Sequence, residues 1–144
     1  MKRGLLVIAL GIAFLILMTW IGTFVDSIVP HTVTAQVQTA QAGPYHVAFQ
    51  VSPNPPVASH PTTLSIHVVL SASQQPINNA HVTLISNMQT MGMELDQVDT
   101  QSQENGVYLA SVQFSMSGPW QVQVIISLPG IRQTVSVTFE VGVQ

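Results

Sequence analysis

The feature that most constrains the fold is the alternation of apolar and polar residues in residues 120–128, WQVQVIISL. A period of two puts successive side chains on opposite faces of a β-strand. One face of this segment therefore carries only apolar side chains, those of Trp120, Val122, Val124, Ile126 and Leu128. Such a segment predicts a strand with one face on a hydrophobic core.

Six further segments have the same period, and polar turn residues separate them. They cover residues 45–51, 63–70, 80–86, 93–98, 107–114 and 132–143. No helical period of comparable length follows residue 26. Short strands joined by short turns predict an immunoglobulin-like antiparallel β-sandwich. Gly106 and Tyr108 resemble the tyrosine corner of such sandwiches, in which the phenol bonds back to the backbone.

Residues 4–25, GLLVIALGIAFLILMTWIGTFV, contain no charged side chain. A helix of about 20 apolar residues crosses the hydrocarbon core of a bilayer, which is ~30 Å thick. Lys2 and Arg3 precede the segment and Asp26 follows it, so the positive-inside rule places the N-terminus in the cytoplasm. The sequence predicts an all-β domain with one N-terminal transmembrane helix, a signal-anchor in residues 1–26 of a single-pass cell-membrane protein.

A cleaved signal peptide is the alternative for this segment. Its apolar core is long for that role, and the nearest small-x-small pattern, residues 40–42, lies far downstream. With either interpretation the rest of the chain folds outside the cytoplasm. Residues 27–43 show only weak alternation and predict a stalk, with a short strand near residues 32–38 as a lesser alternative. Residues 44–144 predict the extracytoplasmic domain.

Charge is sparse along the whole chain. After residue 26, Arg132 is the only basic residue and stands against five acidic residues, a formal balance of −4. One arginine cannot neutralise a row of phosphates, so the composition excludes a nucleic-acid partner. The chain has no cysteine and no Gly-x-Ser-x-Gly motif, which removes thiol chemistry and a nucleophile elbow. We expect no enzymatic activity.

Three methionines lie within six residues of the segment NMQTMGME, residues 87–94. Short connections make neighbouring strands antiparallel, so the third predicted strand ends at this loop and the fifth ends just before Met116. The second predicted strand begins at the same end, shortly after His60. Thioethers are soft ligands that suit Cu(I), and Met/His sets can bind copper. The predicted metal ligands are Met88, Met91, Met93, Met116 and His60.

Two other interpretations of this cluster remain open. Methionine fills irregular gaps in hydrophobic cores, and a Met-rich rim also suits the docking of a partner protein. Met93 begins a predicted strand and is therefore also a candidate core residue.

The order of five short patterns resembles the YtkA-like domains, relatives of FixH-type membrane proteins. Members show a Pro-x-Pro-like loop, Ala-x-Val, a Met-Pro-x-Met-x-Met-like loop, Gly-x-Tyr, and Met-x-Gly-x-Trp. The corresponding segments here are PNPP, AHV, MQTMGM, GVY and MSGPW, at residues 53–56, 80–82, 88–93, 106–108 and 116–120. The resemblance covers about residues 44–143.

This resemblance implies an immunoglobulin-like fold, membrane anchoring, and a role in copper (Cu(I)) handling or respiratory oxidase assembly. Gln89 and Thr90 stand where a Met-Pro pair is more typical, and the His-x-Met pair of periplasmic copper chaperones is absent. The expected partners are the membrane and a membrane oxidase or copper-transport complex. The alternative is a non-catalytic accessory module that docks on a membrane protein complex through a Met-rich rim.

Overall fold

The computed structural model of the chain describes residue 11, residues 35–90 and residues 97–144. Among these residues there is no helix with the length and apolar character needed to cross a membrane. The predicted transmembrane segment, residues 4–25, lies outside the described residues except for Gly11.

Residues 35–90 and 97–144 contain strands and turns but no helix. In chain order the strands are β1 (Val37–Ala42), β2 (Tyr45–Ser52), β3 (Pro61–Leu70), β4 (His81–Met88), β5 (Val98–Asp99), β6 (Gln101–Ser102), β7 (Val107–Gln113), β8 (Gly118–Ser127) and β9 (Val135–Val143). They form two antiparallel sheets, with the orders β1-β2-β3-β7-β6 and β5-β4-β8-β9. The predicted all-β fold of packed antiparallel sheets is confirmed.

The core lies between the two sheets and consists of the alternating apolar faces of the strands. In β8 the predicted inward side chains are at most 1% exposed, at positions 120, 122, 124 and 126. Phe49 of β2 stacks on Phe139 of β9 with ring centroids 4.8 Å apart. Such a pair adds about 0.5–1.5 kcal/mol to the effect of burial, and here it joins one sheet to the other.

The structure differs from the sequence-based prediction in two strands that no predicted strand covers, β1 and β6, and in the bounds of several others. Residues 37–42, assigned to the stalk, form β1, which pairs with β2 along its whole length. This strand alternates between exposed and half-buried positions over most of its length, so its sequence lacks a strong apolar face. β9 begins at Val135 rather than at residue 132. Of the predicted strand 93–98, residues 93–96 lie outside the described residues, and residue 98 begins β5.

The predicted bond from the Tyr108 phenol to the backbone is present, but it does not form a tyrosine corner, because its partners lie in the connection between β3 and β4 rather than a few residues upstream. The hydroxyl of buried Tyr108 donates to the backbone carbonyl of Ile77 at 2.7 Å and accepts from the backbone N–H of Ala80 at 3.1 Å. Gly106, two residues earlier, has a φ of +72°, and a Cβ atom there would lie 2.5 Å from the carbonyl oxygen of Val68. The turn before β7 therefore requires glycine, because L side chains avoid this φ and the space is already occupied.

One end of the sandwich is called the methionine end below. There β2, β4, β7 and β9 end and β3 and β8 begin, as the predicted strand directions required. It comprises the loop of residues 53–60, residues 88–90, the loop of residues 114–117 and Gln144.

Candidate metal centre at the methionine end

The loop of residues 53–60 is fixed to both sheets by backbone hydrogen bonds. The N–H of Ser59 donates to the carbonyl of Phe114 at 2.7 Å, at the end of β7. The N–H of Ala58 donates to an oxygen of Gln144 at 2.7 Å, and the N–H of Gln144 donates to the carbonyl of Pro56 at 2.9 Å. The loop that carries His60 is therefore held between the ends of β7 and β9.

His60 is exposed, and its ring orientation is set by one contact. Its Nδ1 lies 3.0 Å from the carbonyl oxygen of Ala58. A carbonyl oxygen can only accept a hydrogen bond, so Nδ1 is the donor in this contact and neutral His60 keeps its lone pair on Nε2. Metal-binding histidines commonly show this pattern, in which one ring nitrogen donates to a backbone carbonyl and the other binds the metal.

Met116 lies in the short loop between β7 and β8. Its carbonyl oxygen accepts a 3.0 Å hydrogen bond from the indole Nε1 of Trp120. The Trp120 ring is buried and packs on Phe114, with ring centroids 5.4 Å apart. Met116 is itself 37% exposed. The backbone of Met116 is thus anchored on the core, while solvent reaches the residue.

Met88 ends β4 and pairs with Trp120 of β8. It shares the inward register of Val82 and Leu84 and is only 8% exposed. A Cβ atom on Gly118, whose φ is +135°, would lie 2.9 Å from the Cε methyl of Met88. The thioether of Met88 therefore packs over Gly118, two residues from Met116, and belongs to the core cluster.

The structure brings Met88, Met116 and His60 to one end of the sandwich. Met91 and Met93 lie outside the described residues. Within the described part of the chain, His, Cys, Asp and Glu side chains do not gather in any group of three that could hold a metal ion. Two thioethers and one imidazole from the described residues lie at this end, and such groups suit Cu(I) better than a hard cation.

Among the described residues, the Glu140 carboxylate lies 3.5 Å from the side-chain amide of Gln89 at this end, whereas two histidines lie away from it. His81 begins β4 at the opposite end, where its Nε2 lies 3.4 Å from Asp99. His67 lies in the body of β3, and its Nε2 contacts the carbonyl oxygen of Asn105 at 2.9 Å. An open cleft of about 400 Å³, lined partly by Val98, Asp99 and Leu109, lies beside β5 and β7.

Sequence reasoning missed Gly118 as a residue of this end. The alternation pattern does not show the positive φ of Gly118 or its closeness to Met88, because a glycine has no side chain to add to an apolar face. The only signal was its place in the MSGPW segment, residues 116–120.

The two packed antiparallel sheets define an all-β sandwich domain. The chain belongs to the YtkA-like family, whose family model matches residues 39–125. This confirms the resemblance found in the sequence. No curated protein sequence matches the chain.

The solved structures that are similar to the chain include the following three. FetP from uropathogenic Escherichia coli strain F11 has a TM-score of 0.52 and 13% identity, covering 74% of this chain and 95% of that one. The soluble domain of PmoD from Methylocystis sp. strain Rockwell has a TM-score of 0.47 and 12% identity, covering 74% and 97%. An engineered protein has a TM-score of 0.48 and 21% identity, and the match covers 76% of this chain but 21% of that one. At this identity the likeness to FetP shows the fold alone.

Proposed function

We propose that this protein is a membrane-anchored, extracytoplasmic β-sandwich that binds Cu(I) at its methionine end and passes it to a membrane oxidase or copper-transport complex. The ion is cargo, and the chain performs no catalytic step of its own. The ligands are Met88, Met91, Met93, Met116 and His60. The observation that carries the proposal is the meeting of three sequence-distant ligands at one end of the sandwich.

The fold suits this role as a rigid support. We assign it to the immunoglobulin-like class, because β2, β3, β7 and β6 follow the order A, B, E and D of that class, and β4, β8 and β9 the order C, F and G. The end loops of such sandwiches carry binding sites on a preformed core. Here the hydrogen bonds of Ser59, Ala58 and Gln144 hold one loop in place.

The candidate ligands differ in how directly a metal reaches them. His60 and Met116 are exposed, so they form the outer part of the site. Met88 is buried against Gly118, and it becomes a ligand only after its flexible side chain rotates outward. Methionine has three rotatable bonds. Rotation of the Met88 side chain away from Gly118 would therefore couple metal binding to a change in core packing at the methionine end.

The proposal is tested by titrating the full chain in detergent with Cu(I) against a competing chelator. We expect Met116→Leu and His60→Asn each to weaken Cu(I) affinity by about tenfold or more, since each removes one ligand. Leucine conserves volume and costs little stability. A Met91→Leu, Met93→Leu double variant should weaken affinity further.

Matched controls use the same substitutions elsewhere in the chain. Met18→Leu changes a methionine in the predicted membrane segment, and His67→Asn changes a histidine in the body of β3. Both should leave Cu(I) affinity unchanged. Equal affinity in wild type and the Met116→Leu variant would remove the site.

The second candidate function is a non-catalytic accessory module that docks on a membrane protein complex through the same rim. Its supporting observation is that Val57 and Met116 are both exposed at this end. Docking through apolar contact should survive Met116→Leu, whereas Cu(I) binding should not. A pull-down of the membrane complex with this variant therefore separates the two functions.

A further inference from the structure

The two methionines among the described residues differ in how far solvent reaches them. Met116 is 37% exposed, whereas Met88 is 8% exposed. Met116 lies in the loop between β7 and β8, and its neighbours Ser115 and Ser117 are exposed as well. Met88 is paired within β4 and packs over Gly118. A small solute therefore reaches the side chain of Met116 much more readily than that of Met88.

The sequence leaves methionine as the most easily oxidised side chain of the sandwich. The chain has no cysteine, and the indole of Trp120 is only 1% exposed. When hydrogen peroxide meets a thioether, the sulfur lone pair attacks one peroxide oxygen, and the O–O bond breaks as the S–O bond forms. The departing hydroxide takes up the remaining proton and leaves as water. Sulfur loses two electrons and peroxide gains them, and methionine sulfoxide reductases convert the product back to the thioether.

We propose that Met116 is a site of reversible oxidation by hydrogen peroxide, and that its sulfoxide lowers the affinity of the methionine end for Cu(I). The effect on Cu(I) rests on the proposed function, whereas the selective oxidation of Met116 does not. Oxidation replaces a soft thioether by a polar sulfoxide, and Cu(I) prefers soft donors. Peroxide therefore weakens Cu(I) binding until a reductase restores the thioether.

Oxidation at Met116 changes the ligand without disturbing the fold. The hydrogen bond that anchors this residue joins the indole of Trp120 to the backbone carbonyl of Met116 and involves no side-chain atom of the methionine. The sulfoxide oxygen at this exposed position is hydrated. A sulfoxide at Met88, in contrast, would place a polar group in the core cluster, which is destabilising. The exposed methionine is thus the one at which oxidation can act as a switch.

The site of oxidation is tested on the metal-free full chain in detergent, with Met91→Leu and Met93→Leu as background. In this background Met88 and Met116 are the only methionines after residue 18. Peptide mass spectrometry after treatment with hydrogen peroxide measures the sulfoxide at each position. We expect sulfoxide to form at least about fivefold faster at Met116 than at Met88, since susceptibility follows exposure. Equal rates, or a faster rate at Met88, overturn the proposal.

Thermal unfolding of the oxidised chain separates a switch from damage. Oxidation at an exposed position should shift the midpoint of unfolding by no more than about 2 °C. A larger decrease would mean that oxidation reaches the core, which also overturns the proposal.

The effect on the metal is measured by Cu(I) titration of the same chain after the peroxide is removed. We expect an affinity about tenfold or more below that of the reduced chain, restored by the two reductases that act on the two sulfoxide epimers. Met116→Leu in the same background is the control, and its affinity should not fall further with peroxide. A fall of equal size in this control, or a loss that the reductases do not reverse, overturns the switch.

Failure of the proposed function is visible before any peroxide is added. A reduced wild-type chain without affinity for Cu(I) contradicts the proposed function and removes the effect on Cu(I) with it. The mass spectrometry still decides whether Met116 is the site of oxidation, because that measurement uses no metal. Unchanged Cu(I) affinity after complete oxidation of Met116 overturns the switch and leaves Cu(I) binding by the other ligands intact.

Discussion

The change Tyr108→Phe tests whether the hydrogen bonds of the Tyr108 hydroxyl stabilise the sandwich. It removes one oxygen atom from a side chain that is 1% exposed and leaves the aromatic ring in place. The lost hydroxyl served two backbone groups, the carbonyl of Ile77 and the N–H of Ala80. Both groups then lack their partner in the partly buried connection between β3 and β4.

An unsatisfied buried polar group costs about 1–3 kcal/mol. Ala80 is half-buried, so water can partly replace the hydroxyl there, and we expect a total loss of about 2–3 kcal/mol in the free energy of unfolding. For a domain of this size each kcal/mol lowers the midpoint of thermal unfolding by roughly 4–5 °C. The expected decrease is therefore about 10 °C, a large part of the marginal stability of a single domain.

Thermal unfolding of the full chain, followed by circular dichroism of the β-sheet signal, measures this decrease. Tyr45→Phe is the matched control, because Tyr45 is buried but its hydroxyl has no hydrogen-bond partner among the described residues. The control should change stability by less than about 0.5 kcal/mol. If both variants unfold at the same temperature as wild type, the Tyr108 hydroxyl contributes nothing to stability and the reasoning fails.

Three further changes test other parts of the structure. Gly106→Ala should destabilise the domain by about 2 kcal/mol or more, because the new Cβ meets a backbone oxygen at a strained φ; urea unfolding measures the loss, and unchanged stability would contradict the turn geometry. Trp120→Phe removes the 3.0 Å hydrogen bond to the carbonyl of Met116. It should weaken Cu(I) affinity, because the Met116 backbone loses its anchor while the Met116 thioether itself is unchanged. Unaltered affinity would show that this anchor is irrelevant to the site. Gln38→Ala removes both side-chain contacts with the backbone of Glu140, and because they are exposed the loss should stay near 1 kcal/mol, with faster amide exchange at the free edge of β9.

Much of the fold was predictable because strands that cover a core must alternate. The alternation around Trp120 and Val124 predicted which face of β8 is buried, and antiparallel connections predicted that Met116 and His60 share an end. β1 was not predictable in this way. It lies at the edge of a sheet, and pairing with β2 rather than an apolar face holds it there.

The placement of Met88, Met116 and His60 at one end was predictable, but the exposure of each side chain was not. Met88 and Met116 are chemically identical in the sequence, and both follow an inward register. Met88 stays in the β-ladder and is buried over Gly118, whereas Met116 lies beyond the end of β7, where the chain turns toward β8. Whether a methionine side chain is buried or exposed here depends on whether its residue is paired within a sheet, and the apolar–polar pattern does not show this.

The sequence alone determined the class of structure, because the period of apolar side chains is a property of each segment and does not depend on which strands pair. Only the tertiary structure decided that Met88 is buried over Gly118 while Met116 is exposed, and that His60 is held between β7 and β9. Those relations join residues that are far apart in the chain, and they arise from strand pairing and loop hydrogen bonds that no single segment contains.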